Sequence, residues 1–140
     1  MKGYLLDTSI ALLGLVSPER IPPEVRLAIE GAPVYLSVIS YWEVLLKSMK
    51  GKLDVGDPRA WWPDALDKLT ATPIPLRPDH ISEVYILPPI HQDPFDRVLI
   101  AQSKVEGLTL VTTDSDIAKY ATARFRGALL TPVSSTERPT

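Results

Sequence analysis

Short apolar blocks alternate with polar ones along the chain, and the alternation predicts strands followed by helices. Tyr4–Leu6 is an apolar run that meets Asp7–Ser9, which is the pattern of a strand followed by a helix cap. The clearest strand, Leu108–Thr112, is likewise followed by acidic residues, Asp114 and Asp116. Three further strands are predicted at Val34–Leu36, Thr72–Leu76 and Ala128–Leu130. The prolines of the predicted Thr72–Leu76 strand place it at an edge of the sheet, because proline cannot donate a hydrogen bond to a central strand ladder.

Proline and glycine bound most of the predicted helices. These helices cover residues 10–16, 22–31, a segment from a cap at Ser37 or Ser40 to about Lys50, 58–69, 78–87, 94–106 and 114–120. Short strands that alternate with helices favour an α/β domain with a mainly parallel sheet. We expect residues 1–133 to form this single domain and residues 134–140 to be a polar tail.

Composition narrows the function. The absence of cysteine from 140 residues excludes a zinc–thiolate site, an iron–sulfur cluster and a cysteine nucleophile. Fifteen basic and seventeen acidic residues give a net charge of −2, so a nucleic acid would have to be bound by a local patch or through cations. No apolar stretch approaches the ~20 residues that span a membrane, and Asp7 comes too early for a signal peptide. We expect a cytoplasmic protein.

Acidic residues follow the strands that are predicted to lie in the middle of the sheet. Asp7 closes the first strand, and Asp114 with Asp116 follows the Leu108–Thr112 strand. Open α/β sheets bind ligands beyond the carboxyl ends of their strands, so we expect these acids to converge there. Taken singly, Asp7 or Asp114 is explained better by helix capping, because aspartate is a favoured cap.

Two more carboxylates, Glu43 and Asp96, are predicted on helices near this edge. Glu43 lies on or at the margin of an apolar helix face made of Ile39, Trp42, Leu46 and Met49. A charge there costs several kcal/mol, as an order of magnitude, unless it is paired or bound to a metal. A functional role and a salt bridge with Lys47 are both open. Asp96 lies in the first turn of the helix after Asp93, where it also complements the helix dipole.

A group of carboxylates in a chain with no cysteine and two histidines selects a hard cation, Mg²⁺ or Mn²⁺. Magnesium keeps several waters and shares its coordination shell with substrate phosphates. Such ions activate water and stabilise the leaving oxygen in phosphodiester cleavage. An acidic protein can then bind an acidic substrate, because the metal reverses the local field.

Four segments together resemble the PIN-domain ribonucleases, and among these the VapC-type toxins of bacterial and archaeal toxin–antitoxin pairs. The segments are Leu5–Ser9, Glu43, Asp93–Ala101 and Leu110–Asp116. They occur in the family's order, and the similarity spans the chain from Tyr4 to Val133. The third and fourth segments are the more specific motifs.

The resemblance implies a three-layer α/β/α domain with a five-stranded, mainly parallel sheet, and Mg²⁺- or Mn²⁺-dependent endoribonuclease activity. It assigns the catalytic, metal-binding acids to Asp7, Glu43, Asp96 and Asp114, with Asp116 as an accessory acid. Ser9 matches a small polar residue that supports the first aspartate or a metal-bound water. The resemblance also implies a homodimer and an antitoxin whose tail occupies the substrate groove.

Basic residues near these acids have two interpretations. Lys47, Lys50 and Lys52 cluster at the end of the Glu43 helix, and Arg97 adjoins Asp96. All four could contact RNA phosphates without reading sequence. The lysines could equally complement the helix dipole, and Arg97 could pair with an acid of the site.

The histidines and tryptophans favour structural roles. His91 and His80 are predicted to be exposed loop residues rather than general bases. Trp61 and Trp62 are adjacent, so one is predicted to lie in the core and the other to be partly exposed, at a dimer or antitoxin contact.

Two alternatives to a nuclease use the same residues differently. A non-catalytic PIN-like module would bind protein or RNA, and Asp7→Asn would leave its binding intact. The full acidic set argues against it. A phosphoacceptor receiver domain also has acids at strand ends, but Val34–Leu36 is followed by Ser37 and not by an acceptor aspartate.

Overall fold

A five-stranded parallel sheet forms the centre of the computed structural model, which describes residues 3–90 and 92–112 and the backbone of residues 128–130. The strands are β1 (Tyr4–Leu6), β2 (Val34–Ser37), β3 (Ala71–Ile74), β4 (Thr109–Thr112) and β5 (Ala128–Leu130). Their order is β3-β2-β1-β4-β5, and every neighbouring pair is parallel. The predicted sheet is confirmed. β3 is the predicted edge strand, although it covers Ala71–Ile74 rather than 72–76.

Six α-helices lie in the described part of the chain. They are α1 (Thr8–Val16), α2 (Pro23–Glu30), α3 (Val38–Met49), α4 (Pro58–Leu69), α5 (Pro78–Ile86) and α6 (Pro94–Glu106), with a 3₁₀ helix at Pro18–Arg20. The side chains of Asp7, Ser37, Asp57 and Asp93 each accept a backbone N–H of the helix that follows. Ser37, and not Ser40, therefore caps α3. The helix predicted at 114–120 lies outside the described residues.

Helices cover both faces of the sheet, as a three-layer fold requires. Leu5 and Leu110 point to one face, where they pack with residues of α6 such as Leu99. Leu6 and Val111 point to the other face and pack with residues of α1, α2 and α4. Full burial of each such side chain stabilises the fold by about 1.5–3 kcal/mol. The predicted α/β/α architecture is confirmed.

The start of the central strand β1 is packed closely against the segment before β2. The backbone N–H of Tyr4 donates to the carbonyl of Pro33 at 2.9 Å. Gly3 has φ +137°, and a Cβ at this position would lie 2.5 Å from the same carbonyl oxygen. Only glycine fits a backbone approach as close as this.

A buried polar network joins the start of α5 to the end of α6, and it shows that the prediction for His80 is wrong. His80 is fully buried. Its Nδ1 accepts the backbone N–H of Arg77 at 3.0 Å, and its Nε2 lies 2.9 Å from a carboxylate oxygen of Glu106. The proton of the neutral ring therefore lies on Nε2. Local sequence does not reveal this, because Glu106 meets His80 only after α5 has packed on α6.

Glu106 is expected to make the stability of the fold depend on pH. The hydrogen bond from His80 and the charge of Arg77 hold the pKa of Glu106 below its ordinary 4.5, against partial burial, which raises it. A carboxyl group with a lowered folded pKa stabilises the fold above its unfolded pKa and loses that contribution as the pH falls through the folded pKa. Below about pH 5, the free energy of unfolding should thus fall more steeply for the wild type than for Glu106→Gln.

Urea denaturation at a series of pH values measures this difference. Glu24→Gln, at an exposed glutamate of α2, controls for the removal of a negative charge alone. Parallel pH profiles for the wild type and Glu106→Gln would contradict the prediction.

Candidate active site

Asp7 lies at the carboxyl end of β1, and its side chain is buried. One carboxylate oxygen accepts the backbone N–H of Ile10 at 2.8 Å, so Asp7 caps α1. Its own backbone N–H donates to the carbonyl of Val111 at 2.9 Å, which ties this residue to β4. The capping role is confirmed. It also fixes the position of a buried carboxylate at the edge of the sheet where ligands bind.

Glu43 lies in the middle of the buried side of α3, which differs from the predicted face. The buried residues of this helix are Ile39, Ser40, Glu43 and Val44. Trp42 and Met49 were predicted on the apolar face, but they are 53% and 75% exposed. Apolar residues surround almost the whole helix, so the contacts with α4 and α6 decide which side is covered.

The two carboxylate oxygens of Glu43 have different surroundings. Oε2 lies 2.9 Å from Nζ of Lys47, so the predicted salt bridge is confirmed. Oε1 is buried and has no hydrogen-bond partner among the residues that the structure describes. A buried acceptor left unpaired costs about 1–3 kcal/mol, and such an atom in a native fold calls for a water or an ion.

A buried hydrogen bond connects the segment that carries Asp7 with the helix that carries Glu43. The hydroxyl of Thr8 donates to the hydroxyl of Ser40 at 2.9 Å. Thr8 follows Asp7 directly, and Ser40 precedes Glu43 by about one helical turn. Sequence reasoning missed both partners and named Ser9 instead, which is half-buried in the first turn of α1.

Asp96 lies in the first turn of α6, where it was predicted, and is half-buried. Its backbone N–H donates to the carboxylate of Asp93 at 3.3 Å. The carboxyl end of α6 leads through Gly107 into the start of β4, so the opposite end of the helix points toward the carboxyl edge of the sheet. That is the edge at which Asp7 lies.

Arg97 binds the end of α5. Its guanidinium donates to the carbonyls of Val84, Leu87 and Pro88 at 3.1, 3.3 and 3.1 Å. These bonds tie the start of α6 to the end of α5 and to the two residues that follow it. Phosphate contact by Arg97 stays a prediction.

The lysines at the end of α3 differ in exposure. Lys47 is half-buried against Glu43, whereas Lys50 and Lys52 are exposed. Phosphate contacts by these lysines stay predictions.

Among residues 3–90 and 92–112, no group of three or more histidine, aspartate or glutamate side chains is close enough to hold a metal ion. Asp114, Asp116 and His91 lie outside the described residues. β4 ends at Thr112 beside β1, with Leu6 paired to Val111, so the chain leaves β4 next to Asp7. The donors present at this edge are carboxylate oxygens, which fit Mg²⁺ or Mn²⁺ and not a soft metal.

The two tryptophans of α4 have the predicted difference in burial, and a dimer or antitoxin contact stays a prediction. Trp61 is in the core, and the half-buried Trp62 stacks on Tyr41 of α3, with ring centroids 5.2 Å apart and planes 7° apart. This contact holds α4 against the helix that carries Glu43. In the described part of the chain, no helix combines the length and the apolar character needed to cross a membrane.

The fold and these side chains define an α/β protein with buried carboxylates at the carboxyl edge of a parallel sheet. The PIN domain family model matches residues 4–123, and the chain belongs to this family. None of the curated protein sequences compared with the chain matches it.

Solved structures with similar folds are toxin–antitoxin complexes. VapBC2 from Rickettsia felis, bound to a DNA fragment of its promoter, has a TM-score of 0.65 and 15% identity, covering 87% of this chain and 94% of that chain. A toxin–antitoxin complex from Klebsiella pneumoniae has a TM-score of 0.56 and 22% identity, covering 83% and 91%. VapBC-5 from Mycobacterium tuberculosis has a TM-score of 0.54 and 20% identity, covering 88% and 94%. At these identities the likeness concerns the fold.

Proposed function

We propose that the protein is a metal-dependent endoribonuclease and the toxin of a VapC-type toxin–antitoxin pair. The observation that carries the proposal is the buried Oε1 of Glu43, which has no hydrogen-bond partner among the described residues. The helix that carries Glu43 is linked to the segment of Asp7 by the hydrogen bond of Thr8. Membership of the PIN domain family supports it. A buried, unpaired carboxylate oxygen is suited to ligate a cation and has little use in a site that binds RNA by charge alone.

In this proposal the acidic residues are the ligands of the cation. Asp7 and Glu43 hold the cation with Asp96 and Asp114, and Asp116 is an accessory ligand. Bound Mg²⁺ or Mn²⁺ would activate the attacking water and stabilise the leaving oxygen of the phosphodiester. The cap bond to Ile10 and the salt bridge to Lys47 keep the two buried carboxylates in place. Ser9 supports Asp7, and Lys50 and Arg97 contact the RNA backbone.

The proposed partners are RNA, a cognate antitoxin and a second copy of the chain, in the cytoplasm. Two of the similar structures, those from Rickettsia felis and Mycobacterium tuberculosis, are of the VapBC type. Large apolar side chains are exposed on α3 and α5, among them Trp42 at 53% and Tyr85 at 92%. Ile81 and Tyr85 lie one turn apart on α5 and are both exposed, and a contiguous exposed apolar patch marks a surface that binds another protein. We assign the whole activity to one domain, residues 1–133.

The test is cleavage of a labelled total-RNA pool by purified protein, free of antitoxin, in Mg²⁺, in Mn²⁺ and in EDTA. Discrete products that need the metal and disappear in Asp96→Asn are expected. Cleavage that survives EDTA, or its absence in a wild type shown by circular dichroism to be folded, overturns the proposal.

A non-catalytic RNA- or protein-binding module is the second candidate. It is favoured by the finding that the described residues, without 91 and 113–127, contain no group of three metal-binding side chains. This candidate predicts that the wild type and Asp7→Asn retain RNA equally on a filter and that neither cleaves it.

A further inference from the structure

Lys47 contacts one of the two carboxylate oxygens of Glu43. Its Nζ lies 2.9 Å from Oε2, and the side chains of Lys47 and Glu43 are 36% and 7% exposed. Oε1 is buried and unpaired among the described residues. The two oxygens of this carboxylate thus have different surroundings: Oε2 is paired with a lysine, and Oε1 is buried without a partner in the described part of the chain.

We propose that Lys47 determines which divalent cation the site accepts, because it restricts Glu43 to ligation through Oε1 alone. The inference rests on the proposed function, in which Glu43 is a metal ligand. Lys47 is thereby a positioning and specificity-determining residue that acts through Glu43.

The coordination preferences of the cations give this restriction its consequence. Mg²⁺ requires near-octahedral geometry, keeps several waters and uses only one or two carboxylates. Ca²⁺ takes six to eight oxygen ligands and readily accepts both oxygens of one carboxylate. A glutamate whose second oxygen is occupied by an ammonium group can still ligate Mg²⁺ through one oxygen. It offers Ca²⁺ one oxygen ligand instead of two.

Lys47 is suited to this task by its place on α3. It lies four residues after Glu43, and this order of acid and base is the favourable one on a helix. Its half-buried position protects the pair from screening by salt better than an exposed pair. A lysine is a single point charge, whereas an arginine fork would tend to engage both oxygens.

The experiment is calorimetric titration of metal-free protein with MgCl₂, MnCl₂ and CaCl₂. Lys47→Met keeps the length of the side chain and removes its charge. The ratio of the Ca²⁺ to the Mg²⁺ dissociation constant is expected to fall about ten-fold in Lys47→Met, since Glu43 can then offer both oxygens to Ca²⁺. The decrease in this ratio should be absent in the double variant Glu43→Gln/Lys47→Met, which lacks the carboxylate.

Lys68→Met is the matched control. Lys68 pairs with Asp64 in a lysine–acid pair of the same spacing, at 3.1 Å, but it is 62% exposed and lies on α4. Its replacement should leave the ratio unchanged. Thermal unfolding checks that each variant is folded, and Lys47→Gln replaces Lys47→Met if the latter does not fold.

The outcomes separate this inference from the proposed function. A wild type that binds none of the three cations overturns both. Binding that is lost in Glu43→Gln, but has the same Ca²⁺/Mg²⁺ ratio in the wild type and in folded Lys47→Met, overturns the inference alone. A ratio that changes equally in Lys68→Met also overturns it, because the effect would then come from net charge.

Discussion

Asp7→Asn is expected to abolish RNA cleavage and to leave the fold intact. Asparagine keeps a side-chain oxygen that can accept the Ile10 N–H, so the cap of α1 is retained. The negative charge that a cation needs is lost. We expect cleavage to fall by at least about 100-fold, since a metal in such a site contributes several kcal/mol of charge stabilisation. The rate of cleavage of a labelled RNA and the urea midpoint would be measured on the same preparation.

Asp57→Asn provides the matched control for Asp7→Asn. Asp57 is also a helix cap, accepting the Arg59 N–H of α4 at 2.9 Å, but it is exposed and pairs with the Arg59 guanidinium. This variant should keep full activity. Asp7→Ala should lose both activity and about 1 kcal/mol of stability, because it also removes the cap. Undiminished cleavage by Asp7→Asn would show that the buried carboxylate is only a helix cap.

Gly3→Ala is expected to destabilise the fold by about 3 kcal/mol or more. The backbone at φ +137° is strained for alanine by about 1–3 kcal/mol, and the new Cβ would also meet the Pro33 carbonyl oxygen at 2.5 Å. That carbonyl cannot move away freely, because it accepts the first hydrogen bond of β1, from Tyr4. Urea denaturation at neutral pH measures the loss.

Gly56→Ala separates strain from collision. Gly56 has φ +74°, and a Cβ there meets nothing within 4 Å. Gly56→Ala should therefore lower the free energy of unfolding only by the backbone strain, about 1 kcal/mol. If both variants lose the same stability, the contact of Gly3 with Pro33 has no energetic importance.

Element boundaries that depend on local capping chemistry could be predicted. Asp93 followed by proline begins α6, and Gly107, at φ 69°, ends it in the left-handed conformation. Pro73 and the following Pro75 placed β3 correctly at the edge of the sheet. The acids of the proposed site were chosen from their positions after strands and from the resemblance to a family, and their roles stay predictions.

Features that depend on packing could not be predicted. The apolar residues of α3 surround the helix, so the pattern could not show that Glu43 is central and Trp42 exposed. The burial of His80 depends on Glu106, which is distant in sequence. The Gly3–Pro33 approach is a property of two paired backbones, and a single glycine letter carries no sign of it.

The position of β1 between β2 and β4 has a consequence for protein synthesis. Tyr4 pairs on one side with Val34 and on the other with Thr109, so one neighbour of β1 is translated long after β1 itself. Pairing across so long a loop is slow, and until it occurs the nascent chain presents an open strand edge. In a translation product that stops before β4, the side of β1 that pairs with β4 stays open. The carboxyl end of the sheet, where Asp7 lies, is then incomplete. Such a fragment would be prone to aggregate, and it would lack the proposed metal ligands Asp114 and Asp116, which follow β4.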